Sequence, residues 1–237
     1  MRAETFHTPE PVGLRISLPA GDVRIETGDT SETRVELSGP NEDEARIELL
    51  RDEVVIELER KRLFGSSRDH RLVVTTPDGA RVDAQVASAD FQGRGRFGDV
   101  SVDSASGDVS LGHVDGRFEA NTASGDVKVD FVGGDARVNS ASGDVTLGEI
   151  ARDAKVRTAS GDVEIRSAVG GRVDVQSASG DVEVGVRAGS KVYVDASSMS
   201  GDTTSELELS DSPPESEGPT VDFRARTMSG DITVRRA

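Results

Sequence analysis

The chain has 237 residues, and 28 Lys+Arg against 44 Asp+Glu leave a formal charge of −16 with a pI near 4.6. That length fits one moderate domain, and so acidic a surface repels the phosphates of nucleic acid and of anionic lipid, so neither is expected as a partner. Cysteine and tryptophan are absent, which removes disulfides, thiolate metal sites and thiol catalysis together.

The opening MRAETFHTPEPVGLRISL has no basic segment leading into an apolar one, and no stretch approaches the roughly 20 apolar residues of a spanning helix. The expected location is the cytoplasm. Lys61, Lys128, Lys155 and Lys191 are the only lysines, and the excess of arginine, with abundant Ala, Val, Gly and Asp, points to a high-GC coding sequence.

Residues 1–87 read as strands with loose spacing, over 13–18, 22–26, 33–37, 45–50, 54–59 and 72–75, with the run from Arg60 to Ser67 as the expected loop. These are short Val- and Ile-rich runs bounded by Gly, Pro and Asp. Terminal repeats are atypical because they cap a stack, so 1–87 is expected as an irregular β cap continuous with 88–237 in a single domain.

From residue 88 the chain repeats. Ser-Gly-Asp-Val recurs at Ser106, Ser124, Ser142, Ser160 and Ser179, with variants at Ser88, Ser200 and Ser229. The aspartates Asp90, Asp108, Asp126, Asp144, Asp162, Asp181, Asp202 and Asp231 are spaced by 18, 18, 18, 18, 19, 21 and 29. Apolar positions within a unit alternate, as at Val109 and Leu111, then a break at 113–116, then Phe118 and Ala120, and a period of two means strands.

A left-handed hexapeptide helix would need apolar partners for Val109 at 115 and 121, but those are Asp115 and Asn121. A nine-residue half-period fits instead, matching Val109 to Phe118, Leu111 to Ala120 and Val114 to Ala123. The expected fold is all-β: a flattened β-solenoid of about 18-residue coils, two short strands per coil. The wide spacing from Asp202 to Asp231 reads as an insertion, the polar segment 205–219 forming a solvated loop or a binding loop.

These features resemble the bacterial putative-adhesin domain family, in its short cytosolic actinobacterial form. The resemblance covers nearly the whole chain. It rests on Thr8-Pro9-Glu10-Pro11 leading into Ala20-Gly21-Asp22-Val23, on the Ser-Gly-Asp-Val turns, on 182–189, and on the end from Phe223 to Arg236. It implies a β-strand-repeat fold without established catalytic residues, and a regulatory accessory role near envelope-stress proteins.

Candidate chemistry is sparse. The aspartate column puts carboxylates about 4.8 Å apart, a spacing that costs about 1 kcal/mol per pair even in water. Either backbone N–H groups of each Ser-Gly-Asp turn offset this, or a hard cation such as Ca²⁺ bridges the coils; the dense glycine pattern of calcium β-rolls is absent. His7, His70 and His113 share no period, so no catalytic residue, cofactor site or metal site is assigned.

The outward positions Arg117 and Glu119, Asp135 and Arg137, Asp153 and Lys155, and Arg172 and Asp174 mix signs, which reads as a soluble, charge-laddered face. Tyr193 is expected to point outward as a contact residue, and Phe91, Phe97, Phe118 and Phe223 to pack inside. The function expected is a non-enzymatic scaffold or protein-interaction module. The alternative is self-assembly through an unpaired terminal strand at 231–234, guarded by Arg235 and Arg236; a lectin or adhesin-like role lacks aromatic platforms.

Overall fold

Alternation of Val, Ile, Leu or Ala with polar residues persists along nearly the whole chain, and each alternating run forms a strand. The structure, a computed structural model, describes residues 1–58, 70–207 and 218–237. The expected loop at 60–67 and most of the segment 205–219 lie outside the described residues.

The N-terminal part contains β1 (Arg2–His7), β2 (Gly13–Gly28), β3 (Glu32–Ser38), β4 (Arg46–Leu50), β5 (Glu53–Glu57), β6 (His70–Pro77) and β7 (Ala80–Ser106). Here β1–β3, β3–β6 and β4–β5 pair antiparallel, and β2 then joins this cap in parallel to β7. The long β2 and β7 turn a corner of the coil without losing strand geometry, so they contribute to both faces of the solenoid.

Each later coil supplies one strand to each face: β8 (Val109–Val114) and β9 (Phe118–Ser124), β10 (Val127–Val132) and β11 (Ala136–Ser142), β12 (Val145–Ile150) and β13 (Ala154–Ser160). There follow β14 (Val163–Ala168), β15 (Gly171–Ser179), β16 (Val182–Val186), β17 (Lys191–Ser198), β18 (Thr203–Ser205), β19 (Thr220–Ser229) and β20 (Ile232–Arg236). The even-numbered strands form the first face and the odd-numbered ones the second; from β8 to β16 each pairs parallel with its counterparts in the adjacent layers, in register apart from shifts at β7–β8 and β14–β16.

Register places like residues in columns. Val109, Val127, Val145, Val163 and Val182 stack on the first face, and Phe118, Ala136, Ala154 and Val173 on the second. All are buried in one continuous apolar cluster that also takes in the four phenylalanines expected inside. The two-strand coil is therefore as expected, with one correction to the half-period. Val114 is buried whereas Ala123 is exposed, because the first face steps irregularly past Gly112 and His113 while the second alternates strictly. The expected break at 113–116 accordingly starts after Val114, which still belongs to β8.

The last two coils are stacked in inverted order. β19 pairs with β15 on one side and β17 on the other, and β20 lies between β16 and β18. The coil 191–205 is therefore outermost and the coil 220–236 is inserted beneath it. The wide spacing between Asp202 and Asp231 spans the connection by which the chain passes from β18 in the outer coil to β19 in the coil beneath it. The inverted order corrects the expected free edge at 231–234, which is paired on both sides; Arg235 bonds Glu183 and Arg236 reaches the carbonyls of Arg187 and Ser190.

Inward side chains explain the inversion. Ile232 and Val234 occupy the positions held by Thr203 and Ser205 one layer further out, and the apolar pair is fully buried while the hydroxyl pair is exposed. Stacking in chain order would bury two hydroxyls and expose two aliphatic chains, each worth about 1.5–3 kcal/mol of transfer free energy. Ile232→Thr is expected to cost about 2–3 kcal/mol in urea denaturation, whereas Thr203→Ile, at the equivalent position of the outer coil, is expected to change stability by less than about 0.5 kcal/mol.

Candidate functional site

From Ser106 onward the corner of each coil is built by a Ser-Gly-Asp turn. Gly143 has φ +116°, and a Cβ placed there would overlap the carbonyl of Gly125 in the coil before it. Glycine is thus required both by its left-handed backbone and by the closeness of the next layer. The N–H that follows points along the stack. Asp108, Asp126, Asp144, Asp162 and Asp181 each donate from the backbone to Oδ1 of the aspartate one coil earlier, at 3.1, 2.9, 2.8, 2.8 and 2.8 Å.

The ladder continues through the inverted coils, with Asp231 donating to Asp181 and Asp202 to Asp231, both at 2.8 Å. The carboxylates thus accept from the neighbouring coil and not within their own turn, as the sequence reading had it. A backbone dipole stands between each charge and the next. Asp99 and Asp153 do the same at the opposite edge, accepting from Arg117 and Arg172 at 2.7 and 2.8 Å.

A buried hydroxyl column lies behind this corner, at the third inward position of the second face. Thr122, Ser140, Thr158 and Thr227 donate to the carbonyls of Ser124, Ser142, Ser160 and Ser229 at 3.0, 3.1, 2.8 and 3.0 Å. The sequence analysis missed it, although its signal is a Ser or Thr two residues before the Ser of each turn.

The outward side of the second face carries the candidate binding surface. Asn121 donates its amide to Asp103, and Asn139 to Asn121, both at 2.8 Å. Arg157 occupies the next position of this column, and Ala105, Ala123 and Ala141 form a low floor beside it. Where the cap overhangs this floor, Leu18, Pro19, Leu58 and Val86 close one end of a groove of about 1050 Å³. One wall offers amides and a guanidinium, the floor is alanine, and the end wall is aliphatic.

The histidines stay apart. His7 ends β1, His70 is bound by the carbonyls of Ala20 and Pro40 at 3.3 and 2.8 Å, and His113 stacks on Phe131 with ring centroids 4.1 Å apart. All three lie in strands. His113 Nε2 also lies 3.0 Å from Asp115, which Arg96 grips through two bonds of 2.8 and 3.2 Å. Among the described residues no group of three or more His, Asp or Glu is placed to hold a metal. Tyr193 points outward, 67% exposed, on the outermost coil.

The profile of one family matches residues 13–235. The chain belongs to the Toastrack DUF4097 family. No curated protein matches the sequence. Among solved structures this Toastrack chain is similar to a protein of Bacteroides fragilis described as a putative adhesin, with 12% identity, a TM-score of 0.55, and coverage of 98% of this chain and 96% of the other. A second, from Parabacteroides merdae and described in the same words, has 10% identity, a TM-score of 0.57, and coverage of 98% and 95%. Identities this low establish a shared fold, and the Toastrack solenoid is that fold.

Two stability measurements test the corner. Asp144→Ala removes the acceptor for the Asp162 N–H and is expected to cost about 1 kcal/mol in urea denaturation, with Asp144→Asn retaining most of it. Gly143→Ala is expected to cost about 2 kcal/mol or more. A third tests charge. Partial burial works to raise the Asp115 carboxyl, but Arg96 and then His113 outweigh it and hold the group below its ordinary value of 3.8. A lowered pKa stabilises the fold above the unfolded value and ceases to do so as pH falls through the folded one. The stability difference between wild type and Asp115→Asn is therefore expected at neutral pH and to shrink progressively as pH falls below 3.8.

Proposed function

We propose that this Toastrack chain is a cytoplasmic, non-catalytic scaffold that presents the groove of its second face to another protein, in a regulatory accessory role. The observation that carries the reading is the groove itself, a shallow, open depression running across successive coils with an amide ladder on one side and alanines beneath. An extended polypeptide fits this arrangement. Asn121 and Asn139 offer hydrogen-bonding groups at the repeat of the coils, Arg157 an anchor for a carboxylate, and the exposed methyls of Ala105, Ala123 and Ala141 a shallow apolar floor.

Support for a non-catalytic role comes from the separation of the three histidines and from carboxylates whose Oδ1 atoms are engaged by backbone N–H groups. The charge of −16 favours a protein partner over nucleic acid or an anionic membrane.

The test is a photo-crosslinking residue placed at Ala123 in the groove or at Thr146 on the opposite face. A heterologous protein adduct is expected from position 123 only, and Arg157→Glu is expected to reduce its yield. Equal labelling from both positions, or none from either, removes the reading.

A further inference from the structure

Among the described residues the outermost coil is unpaired on its outer side: β17 bonds only β19, and β18 bonds only β20. Of the six large apolar residues exposed among those described, Tyr193 (67%), Val194 (43%), Met199 (83%) and Met228 (59%) lie on the last two coils. Val194 is exposed although it points inward, above Phe223, because among the described residues no further coil lies over it. The edge strands of the cap differ: β1 carries the Arg2–Glu4 pair and β4 the Arg46–Glu48 pair, charges of the kind that guard an edge.

We infer that β17 is a homodimer edge, and that a second copy of this chain adds to it antiparallel about a two-fold axis at Tyr193. The strand is self-complementary in that register. Centring on Tyr193 sets Lys191 opposite Asp195 of the other copy, Val192 opposite Val194, and Tyr193 opposite itself, with each contact made twice.

Backbone direction agrees. Lys191 donates its N–H to Pro219 and Met199 to Thr227, so the odd-numbered residues of β17 face β19. Alternation then turns the N–H and C=O of Val192 and Val194 to the open side. Those two residues form the hydrogen-bonded pairs of the antiparallel ladder, and Tyr193 and Lys191–Asp195 fall at the non-hydrogen-bonded positions, where side chains approach closest. The inward valines of the two copies cover each other and continue the core. A shift of the centre to Val194 would set Lys191 against Ser197 and Tyr193 against Asp195, losing both the charge match and the aromatic pair.

Two-fold pairing also closes the assembly. The opposite end of the solenoid is occupied by the antiparallel cap, so the contact consumes its own surface and yields a dimer, not a fibre.

Sedimentation equilibrium of the full chain is the test, run at physiological salt so that the long-range repulsion between the acidic bodies is screened. The wild type is expected at twice 25.0 kDa. Lys191→Asp alone and Asp195→Lys alone are each expected to be monomeric where the wild type is dimeric. The double variant, and an equimolar mixture of the two single variants, are expected to restore the dimer.

Because the chain has no cysteine, Tyr193→Cys is expected to crosslink two copies under mild oxidation. The Cα separation of about 4.5 Å at a non-hydrogen-bonded pair suits a disulfide. These positions are on the exposed outer coil, so circular dichroism is expected to be unchanged in every variant. A wild type that stays monomeric at all concentrations, with no crosslink at position 193, overturns the inference. An oligomer indifferent to the charge variants overturns it equally.

Discussion

Parallel, in-register stacking of one coil on the next is the constraint from which the other features follow. It places identical residue types about 4.8 Å apart for the length of the protein, which suits valine and alanine and is unfavourable for charge. The Ser-Gly-Asp corner resolves that conflict. A glycine in the left-handed region turns the next N–H along the stack, where it meets the carboxylate of the coil before. Each aspartate thus becomes a rung that ties two layers instead of a charge that separates them. The amides of Asn121 and Asn139 solve the same problem on the flat face, since a side chain with both donor and acceptor stacks on itself without repulsion.

Much of this was legible from spacing alone. The period, the alternation and the glycine requirement are local properties, and they located β8 to β16 closely. The order of the final coils was not legible from spacing, because coils that share one pattern are interchangeable to any reading that counts intervals. The information lay in polarity: Thr203 and Ser205 stand where the coils from β8 to β16, and β20, all have aliphatic residues. The hydroxyl column was overlooked for a related reason. An alternating strand leads the eye to apolar positions, and Thr122 or Ser140 is inward yet satisfied by a carbonyl two residues on. The groove depends on Leu58 and Leu18 overhanging coils far along the chain, a non-local relation that no repeat pattern contains.

A solenoid of this kind separates stability from recognition with unusual economy of means. The inward columns and corners repeat because every layer meets the same neighbours, while the outward positions are free to differ. Along one outward column the residue changes from Asp103 through Asn121 and Asn139 to Arg157, a gradient from negative to positive across four layers. A partner that lies along the stack would read that gradient in order, so polarity of binding is written into the surface even though the backbone beneath it is nearly periodic.

The inverted final coils have a consequence for synthesis. Earlier coils can add to the stack as they leave the ribosome, each on a finished layer. The segment 191–205 cannot, because its seat is the surface of a coil made after it. Until residues 220–236 have been produced, its native partners β19 and β20 are missing. Closure of the solenoid's last layers therefore depends on a strand pair made after the coil that it carries.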